Sequence, residues 1–169
     1  MSIRFLTTAL IVGALAWTSA PLSAAEKKPK EEGPMKVLVF SKTLGFRHGD
    51  AIEAGTAAVK KLGEENGFGV DATEDAGQFT VETLKNYKVV MFLCTTGNNI
   101  LDAQQKKVFE EYIRIGNGYV GVHSASDTEY EWPFYATLVG AYFKSHPAQQ
   151  KAKIEVVDKT HISTAHLPE

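Results

Sequence analysis

The chain has 169 residues, 44% of them hydrophobic and 22% charged, with a formal net charge of −2. These values describe one ordinary globular domain and exclude a fibrous or largely disordered protein. A mildly acidic chain with no Lys/Arg cluster interleaved with aromatics also argues against nucleic acid as a partner.

The first 25 residues stand apart from the rest. Arg4 supplies a positive charge, Phe5 to Trp17 an apolar stretch, and Ser23-Ala24-Ala25 small residues suited to cleavage, the layout of a secretory signal peptide. The stretch is short for a bilayer span and is weakened by Thr7, Thr8, Thr18 and Ser19, so no stable membrane span is expected after cleavage. The expected location is periplasmic or extracellular. Arg4 is the only charged residue among the first 25, so its loss moves the formal charge from −2 to −3. Export usually goes with disulfides, yet Cys94 is the single cysteine, and the domain must be held by its core alone. Residues 26–34, EKKPKEEGP, are charged, contain proline and lack periodicity, as a solvated linker does.

The domain is expected over 35–169. KVLVF (36–40) is a short apolar run suited to a buried strand. After the loop SKTLGFRHG, Asp50 and Glu53 have the spacing of a capping box, and Ile52, Val59 and Leu62 recur at helical spacing up to Asn66-Gly67. Phe68 to Thr73 predicts a second strand. Thr80 is a suitable N-cap, with Phe79 and Leu84 at the two positions of a hydrophobic staple around a short helix. KVVMFLC (88–94) is the strongest strand. Asp102 and Gln105 cap a helix whose face carries Val108, Phe109, Tyr112 and Ile113, ending at Gly116-Asn117-Gly118. YVGV (119–122) predicts a strand, 133–140 a helix and KIEVV (153–157) a final strand.

Strands alternating with amphipathic helices imply right-handed crossovers and a doubly wound, mostly parallel open sheet in a three-layer α/β sandwich of the flavodoxin-like kind. The apolar character of the first, third and fourth strands suggests burial on both faces. Ligands in such folds sit beyond the carboxyl ends of the strands. That rule selects Ser41–Asp50, Cys94–Asn99 and His123–Glu129, where the polar and glycine residues concentrate.

Within GVHSASDTE (121–129), His123 follows a strand and is flanked by Gly121, Ser124 and Ala125, the small residues of a tight strand-to-helix turn. A histidine there suits a general base, a hydrogen-bond donor, a metal ligand or a structural role. Arg47 and His48 close the first loop beside a helix start, a place that attracts anions or electron-rich hydroxyls. Thr95, Thr96 and Asn98 offer hydroxyl and amide groups to a polyhydroxylated ligand. Cys94 lacks an adjacent activating group and reads as buried and inert. Asp127 and Glu129 read as supporting or substrate-binding carboxylates. His146 precedes Pro147 in an extended loop. His48, His123 and His146 are the candidate ligands of a zinc-like divalent ion, although no HxxxH or CxxC spacing is present. No other cofactor is evident. Trp132, Phe134 and Tyr135 read as core rather than as a sugar-stacking surface.

The stretches GFRHGDAIEAG, VVMFLCTTGNNILDAQQKKVFEEYI, GNGYVGVHSASDTEYEWPFYATLVGAYFKSHPAQQ and THISTAHLP closely resemble the ThuA-like (trehalose utilisation) family, from about Met35 onward. The resemblance implies a class I glutamine-amidotransferase-like fold. Amidotransferases carry a catalytic cysteine at the elbow that here holds His123, so glutaminase chemistry is not expected. It also implies a role in disaccharide, trehalose-type or keto-sugar metabolism. Matched to the family's motifs, Arg47, His48, His123, Ser124, Asp127, Glu129 and His146 are the implied site members. Relatives tend to carry a polar residue such as Asn at the place of Cys94. ThuA-like domains also continue past the HLP segment through a DEWY-type stretch and a GxxHP-like motif, so the domain is expected to be incomplete at its C-terminus.

The leading expectation is therefore an exported protein acting on a small carbohydrate, with His123 and His48 as catalytic groups. Arg47, Thr95, Thr96, Asn98, Ser124, Asp127, Glu129 and His146 are the expected substrate contacts. The alternatives are a non-catalytic sugar-binding module, working beside a periplasmic dehydrogenase, and an inactive fragment.

Overall fold

The computed structural model describes residues 34–168. The expected signal peptide, 1–25, and all but the last residue of the expected linker lie outside the described residues. Four strands alternate with helices: β1 (Lys36–Phe40), α1 (Gly49–Asn66), β2 (Gly69–Thr73), α2 (Val81–Leu84), β3 (Val89–Leu93), α3 (Ala103–Arg114), β4 (Gly118–Val122) and α4 (Pro133–Val139). A single 3-10 turn at Ala76–Gln78, capped by the Asp75 side chain, leads into α2. All strand pairs are parallel and the order is β2-β1-β3-β4. The chain therefore reverses direction across the sheet between β1 and β3, and their carboxyl ends open the ligand-binding crevice of this fold class. Among the described residues, no helix is long and apolar enough to cross a membrane.

Strand parity sorts the core into two layers, because successive side chains of a strand point to opposite faces. Leu38, Phe40, Val90 and Phe92 point to one face, where Phe79, Leu84, Phe109, Tyr112, Trp132 and Tyr135 cover them. The aromatic rings pack edge-to-face and stacked, with Phe92 within 5.4 Å of both Phe40 and Phe109 between ring centroids. Trp132 and Tyr135 thus belong to the core, as their helical spacing suggests. Val37, Val39 and Leu93 point to the other face and meet α1 through Ile52, with Val59 packed against them.

Several local expectations need correction. α1 begins with His48 as N-cap and has no side-chain cap bond, so Asp50 and Glu53 do not form a capping box. Asp50 lies instead in the first turn, where a carboxylate complements the positive end of the helix. Leu62 is half exposed, and Gly63 takes the buried place on that face. Both faces of β1 are covered, but on β4 Val120 and Val122 remain 39% and 37% exposed. KIEVV forms no strand. Ile154 and Val157 stay exposed, and the sheet's described strands end at β4. Period-2 alternation supplies a face to bury, but a strand also needs an edge to pair with. By contrast, α3 carries the full capping box, with the Gln105 amide N–H donating to Asp102 and the Asp102 N–H donating to the Gln105 side chain.

Two predictions follow from this packing. A Cβ at Gly63 would lie 2.5 Å from the Phe68 carbonyl oxygen and 2.9 Å from Val70. Alanine gains about 1 kcal/mol in helix propensity, but overpacking against a backbone atom costs about 1–3 kcal/mol. Gly63→Ala is therefore expected to lower stability by about 1 kcal/mol in urea unfolding, while Gly49→Ala, with open space around it, stays within about 0.5 kcal/mol of the parent. The second concerns acid. Asp71 on β2 accepts from Lys36 at 2.6 Å and from the Tyr87 hydroxyl at 2.8 Å. These partners, Lys36 first, hold its carboxyl below the ordinary value of 3.8, and burial together with Asp71 pushes Tyr87 up to about 12. A carboxylate lowered on folding adds stability above its unfolded value and loses it as pH falls through the folded value. Asp71→Asn should flatten the loss of melting temperature between about pH 5 and pH 2.

Candidate functional site

Beyond the strand ends, the three loops chosen by the carboxyl-edge rule are laced together by their own polar groups. Thr43 bridges Thr96, and Gly97 bridges Thr128, so the parallel ladder continues past the strands. The Leu44 N–H donates to the Thr96 carbonyl at 2.9 Å, the Gly97 N–H to the Asp127 carbonyl at 2.8 Å, and the Glu129 N–H to the Gly97 carbonyl at 3.0 Å. The Thr96 hydroxyl accepts from the Gly45 N–H and donates to the Phe46 carbonyl, which fixes the start of the FRH segment. Gly97 has φ +88°, and a Cβ there would lie 2.9 Å from the Gly45 nitrogen. Only glycine meets both demands at low cost.

This lacing gives several expected contact residues a different job. Thr95 and Thr96 are wholly buried. The Thr95 hydroxyl pairs with that of Thr128 at 2.9 Å, and the Ser124 hydroxyl donates to the Thr95 carbonyl. The Asn98 side chain accepts from the Tyr130 N–H at 2.7 Å. Glu129 is also wholly buried and has φ +54°. One carboxylate oxygen accepts from the Leu101 N–H at 3.2 Å, and the other lies 2.5 Å from the Lys106 ammonium, which sits over the Trp132 ring. In this geometry Thr95, Thr96 and Glu129 face the protein rather than a ligand. A single sequence window cannot distinguish a polar group that binds outward from one that pairs with another loop.

The other expected residues converge. His48, His123, Ser124, Asp127 and His146 line one cavity of about 280 Å³, together with Phe46, Ser126 and Phe143. The His48 and His123 rings meet edge-to-face, with centroids 4.7 Å apart, and Phe46 lies 4.8 Å from His48 on its other side. His123 is delivered by the end of β4, and the His123–Ser124 peptide is cis. His48 is delivered by the N-cap of α1. The Tyr130 hydroxyl bonds Asp127 and lies 3.0 Å from the Phe143 carbonyl. Burial first, then the neighbouring Asp127, pushes this phenol up to about 12, so it stays a donor and holds the carboxylate in place. The Phe143 N–H donates to the Ser126 carbonyl, and the Tyr142 hydroxyl to the Glu129 carbonyl, so the far wall hangs from the same loop. His146 is exposed, with Nδ1 3.1 Å from the Pro147 carbonyl.

Arg47 turns away from this cavity. Its guanidinium forms a two-pronged ion pair with Glu74, both contacts 2.7 Å, which raises the guanidinium's value and lowers that of the carboxyl. Cys94 is 2% exposed with φ 55°, and burial pushes its thiol up, so it is a poor nucleophile. Among the described residues, no three His, Cys, Asp or Glu side chains converge as metal ligands, which does not fit a zinc centre with three protein donors. Phe46 and Phe143 were the less legible members. Their signal is a large exposed ring, 71% and 38% respectively, within a polar loop.

The buried ion pair under the site generates a stability prediction. Removing one partner of such a pair costs about 3–5 kcal/mol. Lys106 is partly exposed and can extend toward water, so Glu129→Gln is expected at the lower limit, about 3 kcal/mol in denaturant unfolding. Lys106→Met in the same background should recover part of that loss.

A model of the ThuA family, described as trehalose utilisation, matches residues 36–169. Among solved structures, one described as a ThuA-like protein from Bacteroides uniformis ATCC 8492 is similar, with a TM-score of 0.66 and 27% identity over 84% of this chain and 59% of that one. The present chain thus spans less than two thirds of that protein's length. No curated protein matches the chain significantly.

Proposed function

The chain belongs to the ThuA family, described as trehalose utilisation, and from that premise we propose that it is an exported protein acting on a sugar in the cavity between His48 and His123. The observation that carries this reading is the pairing of two imidazoles with two exposed phenyl rings, Phe46 and Phe143, around one small cavity. Phenyl faces offer apolar surface to the C–H side of a sugar ring, while the imidazoles, Ser126 and Asp127 offer donors and acceptors to its hydroxyls.

The chemistry follows from what the cavity holds. The elbow carries His123 where acyl transfer would require a nucleophile, and Cys94 is buried, so the reaction is not a glutaminase reaction. His123 takes a proton from a hydroxyl or from a carbon beside a carbonyl of a keto-sugar, as a general base. His48 donates a hydrogen bond to the oxygen that gains charge. Asp127, held by Tyr130, orients the sugar. No step is routed through a metal ion, because the donors present do not form a three-ligand set.

One feature favours binding without turnover. Among the described residues, neither the His48 nor the His123 ring is hydrogen-bonded to a protein group, whereas a catalytic base is usually oriented by a third residue. In that reading the domain presents a sugar to a separate periplasmic dehydrogenase.

A single pair of measurements tests both. Turnover of trehalose and keto-trehalose is followed chromatographically, and sugar binding by calorimetry. His123→Ala is expected to reduce turnover at least about 100-fold, the lower range for loss of a general base, with thermal stability retained. Unchanged turnover would refute the base assignment, and saturable binding with no product would select the binding module.

A further inference from the structure

We propose that Arg47 is a positioning residue: its ion pair with Glu74 braces the Phe46–His48 segment from behind and sets the approach of the His48 imidazole to His123. The consequence for turnover rests on the reading of the histidine cavity as a site of reaction; the brace itself does not.

Little at the start of α1 fixes His48 locally. Histidine is not among the residues that favour an N-cap, and this one makes no side-chain cap bond. The next residue, Gly49, has no side chain, and the space around it is open. The His48 carbonyl accepts from the Ile52 N–H at 2.9 Å, which anchors the residue to the helix but leaves the direction of the ring free. Among the described residues no hydrogen bond holds the imidazole, which meets the Phe46 and His123 rings edge-to-face. Phe46 is itself 71% exposed and lends little support.

What does fix the segment comes from the strand ends around it. The Thr96 hydroxyl, beyond β3, donates to the Phe46 carbonyl at 2.9 Å. One residue on, the Arg47 guanidinium donates to both Glu74 carboxylate oxygens at 2.7 Å, and its Nη1 lies 3.4 Å from the Thr43 hydroxyl beyond β1. Consecutive residues are thus tied to different strand ends, and His48 is the residue they deliver. Glu74 is a firm anchor, since it directly follows β2 and precedes a closed turn. In that turn the Asp75 N–H donates to the Thr73 hydroxyl at 3.0 Å, and the Asp75 carboxylate accepts from the Gly77 N–H at 2.8 Å. The hydrogen bonds from Arg47 hold the Glu74 carboxyl below its ordinary value, so the fork stays charged at neutral pH.

Both partners are about half exposed, and exposed ion pairs add little to stability. What a planar two-pronged pair does supply is direction. Direction matters at a reacting centre, where a misplacement of about 1 Å costs on the order of 100-fold in rate. The pair is therefore expected to matter for the placement of His48 far more than for the fold.

The test uses the full chain, with Glu74→Gln, Arg47→Gln and the reversed pair Arg47→Glu with Glu74→Arg. Nuclear Overhauser contacts between the His48 and His123 ring protons are measured by NMR, beside thermal unfolding. Wild type is expected to show the contact. Each single variant should lose most of it while the melting temperature stays within about 4 °C of wild type, and the reversed pair should regain it. Turnover of keto-trehalose is expected to fall at least about tenfold in kcat in the single variants and to recover in the reversed pair. Single variants that keep the full contact overturn the proposal, because the Thr96 bond then suffices. So do a reversed pair that does not recover, and a loss of the contact accompanied by loss of the contacts between Phe92 and Phe109 in the core. A kcat unchanged while the ring contact is lost also overturns the role in turnover. Wild type that shows the contact but no turnover refutes the reading of the cavity as a site of reaction, and the NMR result alone then decides the brace.

Discussion

The architecture of the site depends on one close approach, that of Gly97 to the Leu44–Gly45 backbone. There the loop after β3 passes between the loops after β1 and β4, Gly97 bonding to Asp127 and Glu129 on one side while its neighbour Thr96 bonds to Leu44 and Gly45 on the other. A side chain at Gly97 would push these loops apart, because its nearest neighbours are backbone atoms that cannot rotate away. The cavity walls, Phe46 and His48 on one side and His123 and Asp127 on the other, hold their relative positions only while this junction is closed. The site is thus an extension of the sheet's hydrogen-bond ladder rather than a set of independent loops.

Beneath the junction, charge has been placed where it is expensive. Glu129 is wholly buried, adopts a left-handed backbone conformation and is neutralised by Lys106 from α3. The same ammonium lies over Trp132, so the pair ties the elbow to α3 and to the aromatic core at once. Tyr135 extends this connection, donating to the Ala125 carbonyl while it receives Tyr119. The aromatic layer and α3 below therefore reach the elbow through two polar contacts, Lys106–Glu129 and Tyr135–Ala125. Packing and site geometry are not separable here.

Much of this was legible in the sequence, and the divisions are physical. Strands and capped helices announce themselves locally: VVMFLC is apolar without interruption, and Asp102 with Gln105 satisfies two donors within four residues. The carboxyl-edge rule then locates the three loops without any knowledge of side-chain direction. What stayed hidden are facts that depend on pairs distant in sequence. Thr95 meets Thr128 and Glu129 meets Lys106, so residues that read as ligand contacts are turned inward. Arg47 reads as a neighbour of His48, but consecutive residues at a helix start point to different sides, and Glu74 lies on the side that Arg47 faces. The expected strand at 153–157 has the right alternation, yet alternation says nothing about an available edge.

The strand order has a consequence for how the chain acquires this structure. β1 lies between β2 and β3, and β4 pairs with the outer side of β3. Each later strand lies at the edge of those before it, so the sheet can grow outward in the order in which its residues are synthesised. α1 packs on β2 and β3, which lie near it in sequence, whereas the Gly97 junction needs residues 127–129 and cannot close before they are present. Parallel pairing is slow because every contact spans a crossover. The outward order limits that cost because each new strand meets an edge already present, β3 returning past β2 to β1 and β4 pairing with β3.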